Sequence, residues 1–449
     1  MNITADISCV VEKMLCCTCG ACAAVCRQEA ISYEETVGGH LFPVIDKERC
    51  TACGLCYKAC PSVNVGTDLR NAIRTSAFEG TALECHVGKA ADRKLYVNSQ
   101  SGGIVSALLM HLLETHEIGA AVVCAMVPGN PPRPVVLCAE SKEQILSAQK
   151  SKYCPIPVLG ILRDVRKRNL PVALVGLPCH FHGLSSMADI DAALVQHVKY
   201  KIGLVCDRVM TYGAIDYLIR QAGFVAEEET LKFDFRDKAH PQYPGNVVIG
   251  HPGKEPKILP DGTRNRIKNA FTPARCRVCF DKMNILSDIT VCDPHGLKDI
   301  DRRDGESAVI VRTEKGRTLI REAVSGKRLY LKKADYGEIT RGQKIERKRR
   351  EWRGYAEAWL SLGMDLPAVY PYLTGTTEHM PDDSYKTILM SSLAHDRHVS
   401  RKALLASVED MVQTSMSEKK GHKPKFSHIR QILSRVTAAL KTHSSSKVY

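Results

Sequence analysis

No apolar run in this 449-residue chain approaches the ~18 residues that a membrane-spanning helix needs; the longest, Gly119 to Val127, has the length of a strand. Any membrane contact is therefore expected to be peripheral, and no transmembrane segment is expected. The first residues are polar and lack the charged-then-apolar pattern that directs secretion. That lack decides how the 19 cysteines are read. In a small secreted protein they would mean disulfides; here they are expected to be reduced, metal-bound thiols in a cytoplasmic setting. Acidic residues are also in short supply, 49 Asp and Glu against 63 Lys and Arg, for a formal net charge of +14. No helix-turn-helix, ribonucleoprotein or zinc-finger signature accompanies the surplus, so an acidic partner or an anionic ligand is expected before nucleic acid. With 44% apolar and 25% charged residues, the composition is that of a folded chain of two to four domains.

What is abundant is cysteine in a fixed spacing. The pattern C-x-x-C-x-x-C-x-x-x-C occurs twice, at Cys16, Cys19, Cys22, Cys26 and at Cys50, Cys53, Cys56, Cys60. Three closely spaced thiolates wrap one cubane [4Fe–4S] cluster and the fourth reaches across to the other. Cys16, Cys19 and Cys22 should then share a cluster with Cys60, and Cys50, Cys53 and Cys56 with Cys26. The second copy ends in Cys60-Pro61 as the motif expects, whereas Arg27 stands where the first would have proline. Structural zinc is the alternative, but zinc wants two ligand pairs and not two runs of four. Cys17 is left over, and reads as a packed thiol. Between the runs, Ala30 to Glu34 and His40 to Asp46 read as short strands around Gly38-Gly39. A module this small cannot bury a large core, so its clusters must supply much of its folding energy.

Beyond it, the expected architecture is α+β or α/β. Residues 1–80 form a bacterial-type 2[4Fe–4S] ferredoxin module with a connector, 81–165 and 166–338 the two parts of a mixed α/β body, and 339–449 a basic helical extension. Ala120 to Met126, Val135 to Ala139, Val172 to Val175, Ile202 to Cys206 and Ile289 to Cys292 have the length and Val/Ile content of buried strands. Ile104 to Glu114, Val209 to Arg220 and Arg317 to Val324 are spaced as helices, and Lys232 to Arg236 with Asn246 to Gly250 as a hairpin. Asn64 to Glu84 shows little periodicity. Lys344 to Leu362 places Trp352, Tyr355 and Trp359 on one helical face, and helices are also expected at Ser384 to Ala394 and Arg401 to Met416. Ser427 to Lys441 carries an apolar stripe that suits packing on its own protein, a docked partner or a membrane surface.

The body has chemistry-bearing residues of its own. Cys179 and Cys206 follow strand-like runs, and Cys276 and Cys279 form a C-x-x-C pair; four such thiols suit one further cubane, a zinc ion, or no metal at all if they are buried as small hydrophobes. Cys179 with His182 is also considered as a nucleophile pair, with no third orienting group in sight. Ser101-Gly102-Gly103 opens an apolar helix, which suits a phosphate at the helix start or a plain cap by Ser101. Lys152 beside Tyr153 offers a cation and an aromatic ring to a flavin, or a solvated lysine. Arg236-Asp237-Lys238 reads as a charged strand end with a surface ion pair.

Taken in order, the paired cysteine runs, His40-Leu41-Phe42-Pro43-Val44-Ile45-Asp46, Ser101-Gly102-Gly103, Ser151-Lys152-Tyr153, Gly176-Leu177-Pro178-Cys179, Gly203-Leu204-Val205-Cys206, Phe235-Arg236-Asp237-Lys238 and Cys276-x-x-Cys279 with Ser287-Asp288-Ile289 resemble the beta subunits of coenzyme F420-reducing hydrogenases and dehydrogenases. The likeness runs from about residue 10 to 325. It implies a flavin-binding catalytic body with noncovalent FAD, contacted by Ser101, Gly102, Gly103 and Lys152. It further implies a third cubane on Cys179, Cys206, Cys276 and Cys279, and a deazaflavin, coenzyme F420, as the small-molecule hydride acceptor. The implied partners are a redox protein or hydrogenase and dehydrogenase subunits, since nothing here resembles a nickel site. Three oxidised cubanes at about −2 each would bring the formal charge to about +8. Where many relatives read Gly-Asp-Phe-Trp-Gly, this chain has Cys292-Asp293-Pro294-His295-Gly296, which leaves the substrate side of the flavin open and Cys292 as an alternative ligand. The phrase His40 to Asp46 is closest to bacterial relatives, so the same scaffold acting on another organic substrate, as in proteins resembling the 7-hydroxymethyl chlorophyll a reductase, is a second reading; a non-catalytic electron-transfer subunit is a third.

Overall fold

The computed structural model describes residues 5–225, 230–239, 243–373 and 383–396. Among them, no helix is long and apolar enough to cross a membrane. The amino-terminal module is a two-stranded antiparallel ribbon, β1 (Ile31–Glu35) and β2 (Leu41–Ile45), flanked by two short helices, Ala21–Val25 and Leu55–Lys58. The cysteine runs fold alike. Thr18 and Ala52 take left-handed backbone (φ 55° and 52°), as do Gly20 and Gly54, and each glycine caps the helix that follows.

The segment that lacked periodicity contains a helix, Thr67–Ser76. Its apolar signal is only Leu69 and Ile73, four apart and buried, which is one narrow stripe. That stripe suffices because the helix is fastened by other means: Leu69 N–H donates to Ser185 Oγ (3.3 Å) and Thr67 N–H to Asp189 Oδ2 (3.0 Å).

The body is built on one eight-stranded mixed sheet. In chain order its strands are β3 (Glu84–Ala90), β4 (Ala120–Val127), β5 (Arg133–Ala139), β6 (Val172–Gly176) and β7 (Val198–Leu204), then, after a separate three-stranded sheet of β8 (Lys232–Asp237), β9 (Asn246–His251) and β10 (Lys254–Ile258), β11 (Ile289–Cys292), β12 (Ser307–Val311) and β13 (Leu329–Lys333). The spatial order is β13-β3-β12-β11-β7-β6-β4-β5. The four central strands, β11, β7, β6 and β4, are parallel, and the outer ones are antiparallel. Helices Ile104–Glu114 and Glu314–Ser325 cover one face. Helix Pro178–Ile190 covers the other through Phe181, Leu184 and Met187, and there the ferredoxin helix Ala21–Val25 packs onto it.

Two boundaries differ from expectation for reasons visible in the hydrogen bonds. β7 ends at Leu204 because the Cys206 N–H turns to Lys282 O (2.9 Å), leaving the thiol beyond the strand. Helix Gly213–Gln221 starts four residues late because Met210, Thr211 and Tyr212 donate instead to Tyr153 O, Phe271 O and Gly39 O. Helices Ile345–Ser361 and Asp383–Asp396 lie across the module: Tyr355, Trp359, Leu389 and Leu393 share one apolar cluster with Ile7, Val10, Cys16, Cys56 and Cys60. The helices expected at Arg401 to Met416 and Ser427 to Lys441 lie outside the described residues.

Candidate functional site

Cys16, Cys19, Cys22 and Cys60 line one small cavity of about 10 Å³, completed by Ile7, Cys17, Thr18, Gly20 and Tyr33. All four thiols are less than a tenth exposed. Burial pushes up Cys16, Cys22 and Cys60, the last two each to about 12, and contact with Cys17 followed by burial pushes up Cys19. Four buried thiols that oppose one another's ionisation are poorly matched to an apolar core and well matched to iron, which takes them as thiolates. Thr18 N–H points at Cys16 Sγ (3.4 Å) and Ala52 N–H at Cys50 Sγ (3.4 Å), repeating one loop geometry in both runs. In the second set Cys56 is buried, Cys26 and Cys50 are half-buried, and Cys53 is exposed. Among the described residues, no three His, Cys, Asp or Glu side chains are placed to hold a single metal ion. Zinc at about 2.3 Å from each sulfur would need them converging on one point, whereas cubane ligands stand at the corners of a cluster.

The body's four cysteines converge as well. Cys179 is the second residue of helix Pro178–Ile190, directly after β6, and Cys206 follows the neighbouring parallel β7, so both lie at carboxyl ends of central strands, where ligands of such sheets gather. Helix Ala274–Arg277 brings Cys276 and Cys279 to the same place. Burial raises Cys206, Cys276 and Cys279, Cys276 to about 11, and contact with Cys17 followed by burial raises Cys179; Cys179, Cys206 and Cys276 each feel at least one other member of the set. Cations surround them: Arg275 and Lys348 are 7% and 5% exposed and act on Cys276 and Cys279. Buried cations beside buried thiols fit a group of net negative charge. The neighbouring imidazoles are committed elsewhere. His182 Nε2 meets Asp281 Oδ2 at 3.0 Å, and His180 accepts from Leu177 N–H and reaches Ile156 O, with burial lowering it to about 4. Cys292 is packed among Cys85, Val87 and Phe280.

The segments around Ser101 and Tyr153, read as a flavin site, are tied to the end of β8 by Lys238 and Arg236. Arg236 is 4% exposed, and the reading of it as a surface ion pair is corrected by that burial. Its guanidinium donates to Tyr153 Oη (3.1 Å), Asp293 Oδ2 (2.8 Å) and Pro244 O (2.8 Å), while a buried Nη2 has no hydrogen-bond partner. Burial pushes the Tyr153 phenol up, but Arg236 and Arg264 outweigh it and hold it below its usual value; Arg264 lies 4.4 Å over the ring. Lys238 donates to Ser101 O (2.7 Å) and Asp304 O (2.9 Å), and Gln100 bridges Ser151 N–H and Pro244 O. Beside this hub, a cavity of about 340 Å³ is lined by Tyr243 to Val247 and Pro260 to Asn265 with Phe235.

Two individual expectations change here. Ser101 does not cap the helix; its hydroxyl meets Ser307 Oγ (2.7 Å), and the cap is Gly103, at φ 73° with no side-chain bond to the helix start. Gly102 owes its identity to packing, since a Cβ there would lie 2.4 Å from Gly88 O. Lys152 is neither solvated nor free to lie over a ring: its ammonium donates to Ala148, Gln149 and Lys150 carbonyls at 2.5–2.9 Å, and burial lowers it to about 8. It fastens the loop that carries Tyr153 to the end of helix Lys142–Ser147.

Known proteins align with these regions in sequence. A family model for the 4Fe-4S dicluster domain matches residues 15–64, and two consecutive models for the beta subunit of coenzyme F420 hydrogenase/dehydrogenase, its N-terminal and C-terminal parts, match residues 85–163 and 170–336. The coenzyme F420-dependent sulfite reductase of Methanocaldococcus jannaschii is 26% identical over 323 residues, 68% of this chain and 46% of that protein, so this chain spans less than half of that relative. A subunit of the F420H2 dehydrogenase of Methanosarcina mazei is 24% identical over 68% of this chain and 82% of its own. The beta subunit of the coenzyme F420 hydrogenase of Methanothermobacter thermautotrophicus is 25% identical over 55% and 82%. A solved structure of the F420-reducing [NiFe] hydrogenase complex from Methanosarcina barkeri is similar at 20% identity and a TM-score of 0.47, over 61% of this chain and 93% of that one.

Proposed function

The chain belongs to the family of coenzyme F420 hydrogenase/dehydrogenase beta subunits, with a 4Fe-4S dicluster domain ahead of the family region, and from that premise we propose that it is an iron–sulfur flavoprotein oxidoreductase. It passes electrons between a one-electron partner, a ferredoxin or a redox subunit, and a two-electron hydride acceptor, coenzyme F420. Cys16, Cys19, Cys22 and Cys60 hold one [4Fe–4S] cluster, Cys26, Cys50, Cys53 and Cys56 a second, and Cys179, Cys206, Cys276 and Cys279 a third. FAD lies along the Ser101–Gly103 turn and the Arg236 hub. Cubanes carry electrons singly and a flavin exchanges single electrons for hydride, which is the chemistry these groups supply when bound.

The observation that carries this reading is the placement of Cys179 and Cys206 just beyond the carboxyl ends of the adjacent parallel strands β6 and β7, on the side where helix Pro178–Ile190 meets the ferredoxin module. An electron carrier standing alone would have no use for it. The chain's own residues do the positioning. Arg275 and Lys348 offset the charge of the thiolates. Arg236 orients Tyr153 and Asp293 and keeps one buried donor without a partner, and Lys238 holds the glycine turn against Asp304.

Anaerobic reconstitution with iron, sulfide and FAD, followed by deazaflavin reduction with a reduced viologen dye, tests the proposal. Turnover with about twelve irons per chain supports it; about eight would remove the third cluster. A second reading, the same scaffold acting on another organic substrate, is favoured by Pro294-His295, which follow Asp293 beside Arg236 where many relatives carry Phe-Trp. Bound FAD without deazaflavin turnover would select it.

A further inference from the structure

Cys53 is the only exposed one of the 19 cysteines, and it belongs to the set of Cys26, Cys50, Cys53 and Cys56. Every cysteine of the other ferredoxin set is buried, in apolar clusters shared with the body and with helix Ile345–Ser361. Two proteins exchange an electron only when their carriers come close, so the face around Cys53 is where the module can meet another protein. That face is basic. Arg27 follows Cys26, Lys47 and Arg49 precede Cys50, and Lys58 follows Cys56 by two residues; all four are exposed. Among the described residues, none of these four side chains has a hydrogen bond or an ion pair. The backbone draws the segments together: Asp46 N–H donates to Ala30 O (2.8 Å), Cys50 N–H to Asp46 O (3.0 Å) and Glu29 N–H to Cys26 O (3.2 Å). Three carboxylates stand near the cations. Glu29 is matched by Lys167 (2.8 Å) and Arg163 (3.4 Å), and Asp46 Oδ1 accepts from the Glu48 and Arg49 N–H groups (3.0 and 3.3 Å), which leaves Glu48. By contrast Lys13, three residues ahead of the buried triplet, is paired with Asp365 (2.7 Å).

We propose that this face is the docking surface for an acidic protein that carries single electrons, and that the Cys26/Cys50/Cys53/Cys56 cluster is the one it meets. The inference gives the one-electron partner of the proposed function a surface and a charge, and rests on that reading only in taking the module as the port for electrons. In the step, the carrier is oxidised by one electron as the cluster is reduced by one, or the reverse; no bond breaks and no proton moves. An uncharged centre, Thr51 to Cys53, inside a charged rim is the make-up of a transient protein interface. It interrupts the continuous basic track that a phosphate backbone follows. The chain's own tail is unsuited to this face, since from Arg401 onward it carries ten Lys or Arg against three Asp or Glu. Opposite charge on a carrier would steer the encounter and raise its rate about tenfold or more at low salt.

The test uses the full chain, reconstituted anaerobically, with a stoichiometrically reduced acidic 2[4Fe–4S] ferredoxin as the probe. Stopped-flow spectroscopy follows electron entry, and a zero-length carbodiimide, which joins an ammonium to a carboxylate, maps the contact. Lys47→Glu with Arg49→Glu should slow entry about tenfold at low salt, and the difference should vanish near ~0.5 M salt, where screening leaves only short-range contacts. Glu48→Lys should speed it, which keeps the test open if the double reversal fails to fold. Lys257→Glu with Lys333→Glu, the same charge change at exposed sites elsewhere, should have little effect. A reduced viologen, itself a cation, should reduce all these chains alike, and cross-links should fall on Lys47 or Lys58. Equal slowing by both double reversals, no change with Glu48→Lys, or cross-links confined to other lysines would overturn the proposal, as would phosphatidylserine vesicles or single-stranded DNA binding as tightly as the ferredoxin and losing their grip in the same variant. Viologen-driven deazaflavin turnover that survives such a result leaves the proposed function standing. A chain that takes ferredoxin electrons through this face but passes none to the deazaflavin would keep this surface and overturn that function.

Discussion

The two cysteine runs are the same structure in two environments. Both place a left-handed residue two positions after the first cysteine, both aim the N–H of that residue at the first sulfur, and both start a short helix from a left-handed glycine. In the first run every cysteine of the triplet is buried, whereas in the second Cys53 and its neighbours Thr51 and Ala52 are exposed. Sequence spacing therefore sets the loop, and what packs on the loop sets its role. The first run is held by helix Pro178–Ile190 and by the Trp359 cluster; of the second, Cys56 reaches that cluster while Thr51 to Cys53 face outward.

The largest test of that difference removes one ligand from each set. Cys60→Ser takes a ligand from a cavity whose walls are shared with the apolar cluster of Ile7, Val10, Tyr355 and Trp359. It should abolish one cluster and destabilise the module by more than about 4 kcal/mol, the range reached by loss of a structural metal. Cys50→Ser should abolish the other cluster with a clearly smaller fall in the thermal midpoint. Iron content and calorimetry of the two variants would show it; equal falls would mean that both runs carry the module's stability alike.

Next comes the contact that packs the first run on the body. Gly183→Ala inserts a methyl where Leu159 Cδ1 and Cys19 Sγ stand 2.8 and 3.2 Å away. Overpacking of this kind costs about 1–3 kcal/mol. A denaturant titration should give that loss, and the spectrum of the cluster on the Cys19 set should change while that of the cluster on the Cys53 set does not. A smaller effect is expected from Arg133, which bridges Glu35 on β1 (2.9 Å) and Asp216 on helix Gly213–Gln221 (2.9 Å), and so ties module to body at a partly buried site. Arg133→Ala should cost about 1–2 kcal/mol through its charge-assisted bonds, whereas Lys167→Ala, which loses only the exposed pair with Glu29, should stay within about 0.5 kcal/mol.

The cysteine runs are legible in the sequence because their chemistry is local: a four-residue spacing is enough to specify the loop and the ligands. The central strands are legible because strands buried on both faces are apolar throughout, as in Ser307–Val311 and Val172–Gly176. Arg236 is not, because its partners, Tyr153 and Asp293, lie 83 and 57 residues away, and nothing in the four residues around it distinguishes a buried hub from a charged strand end. Gly102 and Gly183 carry no signal of their own; each is required by an atom that only the fold supplies.

The smallest effect is the sharpest comparison, because it changes the same backbone position in both runs and expects opposite signs. Thr18 and Ala52 each hold a left-handed conformation that costs an L-residue roughly 1–2 kcal/mol and costs glycine little. Ala52 is exposed, and its side chain is a single methyl, so Ala52→Gly sheds strain and loses almost nothing; part of the gain is returned through the greater freedom of glycine in the unfolded chain. A net stabilisation of about 0.5 kcal/mol is expected. Thr18 is 1% exposed, and its hydroxyl donates to Leu41 O at 2.9 Å. Thr18→Gly sheds the same strain but deletes that bond, leaves a buried carbonyl short of a partner and opens a void beside the cluster cavity, losses of about 1–3 kcal/mol that exceed the gain. Chemical denaturation of the reconstituted chain should therefore move up slightly for Ala52→Gly and down for Thr18→Gly. Two shifts of the same sign would mean that loop strain, and not the packing against the body, sets the difference between the runs.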